Sequence, residues 1–188
     1  MVNANIRLVA TPWWVNLAPL VPLGSYLVWR TRGLRFSARQ LAYAAIFAVT
    51  FGINEAAVVV YLRAAGGLLA DTATQEQVLA QLPQILIATE TCREAATLVM
   101  LCGVSLLAVT PGRERWALFL WMFAFWDIFY YVGLGLIIRW PPSVLMQDVL
   151  FLIPTPWIAP VWFPVLVSVL AIAAVLLANR QHSSTATE

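Results

Sequence analysis

Five stretches of 17 to 27 residues, each predominantly apolar, follow one another along this chain, and short connections between them hold eight of its eleven arginines. An α-helix of about 20 apolar residues crosses the roughly 30 Å hydrocarbon core of a bilayer. Backbone inside that core must satisfy its own hydrogen bonds, which leaves helices as the natural spanning element for such stretches. The pattern predicts an all-α fold: a multi-pass integral membrane helical bundle of about five transmembrane helices, with spans near residues 13–29, 40–62, 84–110, 116–138 and 157–178. Residues 1–180 read as one transmembrane domain, and the polar stretch 181–188 as a disordered cytoplasmic tail.

Composition agrees. Of 188 residues, 62% are hydrophobic and only 11% charged, against about 25% charged in soluble domains. The start of the chain lacks the basic, apolar and cleavable regions of a signal peptide, so the first stretch is expected as a retained span. It carries Pro19 and Pro22, which predict a kink. Cys92 and Cys102 share one predicted helix about 15 Å apart, too far for a disulfide between them. The arginines sit at span ends rather than in one patch, which argues against nucleic acid as a partner.

Two connections have structure of their own. Residues 64–83 read as a Gly-Gly exit followed by a short helix, with Thr72 and Gln75 at capping-box spacing. Residues 140–156 are bounded by prolines, and their apolar part, Val144 to Ile153, is too short to span. It reads as a short interfacial or re-entrant helix.

Orientation follows from arginine placement. Alternate connections carry seven arginines (Arg30, Arg32, Arg35, Arg39, Arg113, Arg115, Arg180) against three on the other side (Arg7, Arg63, Arg139). The positive-inside rule puts the N-terminus outside and the C-terminus in the cytoplasm, in a cell membrane of the bacterial inner or plasma type. Trp13, Trp14, Trp140 and Trp157 then mark the outer interface, and Trp29 and Trp116 the inner one.

Five ionisable residues fall inside the spans: Glu55, Glu90, Arg93, Glu94 and Asp127. Each costs about 2.5–3.5 kcal/mol at a helix centre if unpaired, so they must face one another, water or a bound partner. All lie in the outer half. Glu90, Arg93, Glu94 and Thr97 share one helical sector, and Asp127, Tyr130 and Tyr131 form a similar stripe on the fourth span. On the second span Tyr43, Thr50, Asn54 and Tyr61 line one face, with Glu55 beside it. Ala88, Cys92 and Ala96, behind the polar sector of the third span, suit close helix packing and predict that this helix is central. Asp148 is a further candidate if its connection caps the cluster.

Four acids and one arginine leave a deficit of three charges when all are ionised. Arg63 and Arg139 can reach inward to repair part of it; otherwise some acids must hold protons or a cation must bind. The one histidine, His182, lies in the tail, so no histidine-ligated haem or zinc is expected within the membrane. Phe125-Trp126-Asp127 and Gly133-Leu134-Gly135 lack the second aspartate that aspartyl proteolysis needs. Any metal would need an all-carboxylate site.

Three functions remain open. The cluster is a binding or transport site for protons, a cation or a small amphipathic solute. Alternatively, it performs carboxylate acid–base chemistry on a lipid-soluble substrate. In the third reading it holds together a structural subunit. The bilayer is the expected partner, with a homo-oligomer or a larger membrane complex around the chain.

Overall fold

The computed structural model describes residues 8–66, 80 and 82–185. The Gly-Gly exit and the Thr72–Gln75 capping box fall for the most part outside them. Helix α1 is Leu20–Trp29, α2 Ala38–Ala65, α3 Gln84–Ala108, α4 Gly112–Ile138 and α5 Trp162–Thr185, with strands β1 (Gln147–Phe151) and β2 (Trp157–Pro160) between α4 and α5. Among the described residues, α2, α3, α4 and α5 are long and apolar enough to cross a membrane. The protein is a multi-pass helical membrane bundle.

The first expected span is broken. A short 3-10 helix, Trp13–Leu17, precedes the ten-residue α1. Pro19 and Pro22 have no N–H to donate, which interrupts a continuous helix here. The segment nevertheless runs the full length of the bundle beside α5. Thr11 pairs with Ile158 at one end, while the Leu34 N–H donates to the Ala178 carbonyl at the other.

The connection after α4 is a β-hairpin, not the expected short helix. Asp148 pairs with Ala159 and Val149 with Ile158 in antiparallel register, with an irregularity before Phe151↔Trp157. A lone ten-residue helix would leave most of its end groups unpaired, whereas the hairpin pairs backbone with backbone. Pro154 and Pro156 fall in the turn, where a missing N–H breaks no ladder bond. The fifth span therefore begins as a strand at Trp157, and its helix starts at Trp162. That helix continues to Thr185, so residues 181–185 extend it rather than forming a disordered tail.

The centre of the bundle is α4, not α3. Helix α4 packs against α1, α2, α3 and α5, whereas α3 rests mainly on α4. The small-residue strip Ala88, Cys92, Ala96 is exposed. A different strip makes the closest helix contact: Ala48, Gly52 and Ala56, all buried on α2 at four-residue spacing. A Cβ built on Gly52 would lie 2.4 Å from the Trp126 carbonyl oxygen, and one on Gly133 would lie 2.7 Å from the Ala56 Cβ. Packing of this kind drives helix association where lipid removes the hydrophobic incentive.

Substituting Gly52→Ala should lower stability by about 1–3 kcal/mol, as over-packing does, through separation of α2 from α4. Gly24→Ala, where an added Cβ meets nothing within 4 Å, should be neutral or slightly stabilising. Thermal unfolding in a mild detergent compares the two; equal effects would refute the contact.

Candidate functional site

The end of the bundle that carries the hairpin also holds the polar cluster. Glu55 projects from α2, Glu90, Arg93 and Glu94 from α3, and Asp127, Tyr130 and Tyr131 from α4. Arg93 is the link between helices. Its guanidinium pairs with Glu55 across the α2–α3 gap and with Glu90 on its own helix, including an Nε–H to Glu90 Oε2 bond of 2.9 Å. The planar fork of arginine suits two carboxylates at once. Thr97, buried beside it, donates to Glu55 at 3.5 Å.

The other acids are held by neutral donors. Both oxygens of Glu94 accept the Leu152 backbone N–H, at 2.9 and 3.0 Å, which ties α3 to the hairpin. Asp127 accepts from the Ser168 hydroxyl of α5 at 2.8 Å. Asp148 accepts from the Tyr131 hydroxyl at 2.8 Å and from the Val149 N–H at 2.9 Å. Arg63, on α2, is fully buried, with its Cζ 4.5 Å from the centre of the Trp140 ring. Burial pushes the Asp148 carboxyl up to about 6, opposed by the Tyr131 and Val149 hydrogen bonds and by the charge of Arg63.

Nine of the ten candidate residues therefore gather at this end. Asn54 does not: it is exposed with Tyr43, Thr50 and Tyr61, on the side of α2 that turns away from the bundle. Arg63 joins the cluster as the inward-reaching arginine, whereas Arg139 is exposed and caps α4 in the left-handed conformation, at φ 55°. Ser168 was not anticipated, although a lone serine in an apolar span is a readable signal. The Leu152 N–H had none, because a backbone donor leaves no trace in sequence. The surplus persists, with five carboxylates (Glu55, Glu90, Glu94, Asp127, Asp148) around two guanidiniums. Among the described residues, no three His, Cys, Asp or Glu side chains converge as a metal-ligand set.

These groups form one end of a cavity of about 750 Å³. Its polar end includes Glu55, Glu90, Arg93, Glu94, Asp127 and Asp148; elsewhere it is walled by aromatic and aliphatic side chains such as Leu98, Trp116, Phe119 and Phe123. The cavity exists because α3 leans on α4 without closing against α1. Leu17 and Val21 on one side and Val99 on the other line it and are exposed, so it opens sideways between α1 and α3. The chain matches no protein-family model, no curated protein and no solved structure.

Two outcomes test this arrangement. Arg93→Ala leaves Glu55 and Glu90 without their cation and should cost about 3 kcal/mol, the low end for breaking a buried pair. Adding Glu55→Gln should recover part of that loss, as measured by unfolding of the single and double variants. The second outcome concerns pH. Folded Asp148 keeps its proton to about 6, against an ordinary value of 3.8. The folded state therefore binds more protons in that window, and the stability contributed by Asp148 is lost as pH rises through it. Asp148→Asn should flatten this dependence in thermal unfolding between about pH 4 and 6.

Proposed function

We propose that this protein binds a lipid-soluble amphipathic molecule in the side-opening cavity, with its polar group at the carboxylate–arginine cluster and its apolar body among the aromatic side chains. The observation that carries this reading is the two-part wall of the cavity: charged at one end, apolar over the rest, and open laterally between two helices. Ligand sites of several hundred Å³ with a mostly apolar wall and a few convergent polar groups are the usual design. Protons or an inorganic cation would need far less space and no aromatic wall. The site lies in a cell membrane of the bacterial inner or plasma type, and arginine placement orients the hairpin end outward.

Acid–base chemistry on the bound molecule is the second reading. Asp127, paired with Ser168 and lining the cavity beside Tyr130 and Tyr131, is a buried carboxylate positioned to pass a proton to or from an apolar ligand. A co-purified ligand of different mass in wild type and Asp127→Asn would mark that chemistry.

Native mass spectrometry of the protein in lipid nanodiscs tests binding and reports oligomeric state in the same spectrum. A bound small amphipath is expected. The cavity-filling variants Ala95→Trp and Leu98→Trp should reduce its occupancy at least about ten-fold, since even 1.4 kcal/mol of lost contact has that effect. Ala88→Trp, on the exposed face of α3, should leave occupancy unchanged. Equal occupancy in all three variants would refute this site.

A further inference from the structure

We propose that the outward face of α2 is the seam of a parallel two-fold homodimer, in which the Asn54 carboxamides of the two copies hydrogen-bond to each other.

Asn54 is a polar group that faces lipid. It lies about 4 Å from the midpoint of α2, well inside a hydrocarbon core of roughly 30 Å. It is exposed on the side that turns away from the bundle, and its carboxamide has no hydrogen-bond partner among the described residues. Thr50, one turn away on the same side, differs. Its hydroxyl donates to the Ile46 and Phe47 carbonyls of its own helix, at 3.0 and 2.9 Å. Lipid tails offer Asn54 neither donor nor acceptor, so its amide N–H groups and carbonyl oxygen are left for a second helix to satisfy.

The residues around Asn54 have the spacing of a helix–helix seam. Tyr43, Phe47, Thr50, Asn54, Ala57 and Tyr61 follow one another at intervals of 4, 3, 4, 3 and 4. That is a 3.5-residue repeat, which keeps one stripe facing a partner along the whole helix. All are exposed except Ala57, which is half-buried; Tyr43 and Tyr61, at the two ends, are 70% and 71% exposed. Thr50, Asn54 and Ala57 make three successive layers of small side chains at the middle, and aromatic residues take the ends. Two such helices crossing at about 20° come closest where the side chains are small. The short carboxamides meet there, and the rings fill the widening gap on either side.

The partner is a second copy for two reasons. Arginine placement inserts every copy in the same direction, so two copies meet in parallel, and in a parallel seam each layer faces its own counterpart. Asn54 then lies opposite Asn54. The seam also carries no charged side chain to repel a second copy, and the partial charges of its central group are complementary to themselves. Each carboxamide donates from Nδ2 and accepts at Oδ1, so a two-fold pair satisfies both reciprocally, as an isologous interface requires. A single Asn at such a layer fixes the register too, since a slip leaves both copies unpaired. No seam residue lines the cavity, so dimer and bound amphipath are separate properties of the fold.

Cysteine crosslinking in native membranes, in a background of Cys92→Ser and Cys102→Ser, reads the seam directly. Single cysteines placed between Tyr43 and Tyr61 should crosslink on mild oxidation with a 3.5-residue period that peaks at Phe47, Thr50, Ala57 and Tyr61. Leu107→Cys, on the exposed side of α3, should not crosslink. Energy transfer between labelled copies in liposomes, followed as lipid is added in excess, then measures dissociation. Asn54→Leu should raise the dissociation constant about ten-fold, and Asn54→Gln, which keeps the carboxamide, should raise it less. Thr89→Leu, exposed on α3, should leave it unchanged. Asn54 bonds no other residue of its own chain, so each variant at this position should fold. A monomer at every lipid ratio, crosslinks without the period, or equal dissociation of wild type and Asn54→Leu overturns the inference. So does an Asn54-dependent complex with a different membrane protein in place of the homodimer.

Discussion

The approach of α2 to α4 at Gly52 governs the rest of this structure. With no side chain at that position, the two backbones meet at the Trp126 carbonyl, and Ala56 beds against Gly133. This contact brings Glu55 and Asp127 to the same end of the bundle. It also makes α4 the axis on which α1, α3 and α5 lean. In lipid, where apolar burial gives little net drive, such backbone proximity and a few polar bridges have to do most of the holding.

Helix α3 illustrates the consequence. Resting mainly on α4, it is held at the hairpin end by two polar ties: Arg93 to Glu55 on α2, and Glu94 to the Leu152 N–H of the hairpin. Farther along, the side of α3 toward α1 is left uncovered, and the cavity opens there. Ion pair and cavity are thus parts of one arrangement: the charges fix α3 at one end, and their spacing from α1 leaves room for a ligand. The hairpin closes the polar end because Asp148 is gripped by Tyr131 and because Thr11 pairs with Ile158.

Much of this was legible beforehand. Span lengths, arginine placement and aromatic positions pointed to a membrane bundle, and the insertion cost of a lone charge required the intramembrane acids to converge. Glu55, Glu90, Arg93, Glu94, Thr97, Asp127 and the two tyrosines do converge. Asn54 went wrong because helical periodicity groups residues on a face without saying which face turns inward. Ala88, Cys92 and Ala96 misled for the same reason: a small-residue strip is a capacity for close packing, and Ala48, Gly52 and Ala56 had it equally.

The sequence by itself determined the solvent of this protein and the depth of its charges, because hydrophobic length and the price of an unpaired ion are properties of each segment alone. It also determined that the first span would be irregular, since proline removes a donor wherever it lies. Only the tertiary structure decided that residues 147–160 pair as a hairpin, that α4 rather than α3 is central, and that the carboxylates border a cavity. Those outcomes depend on which backbone meets which across the bundle, and a linear pattern does not contain that information.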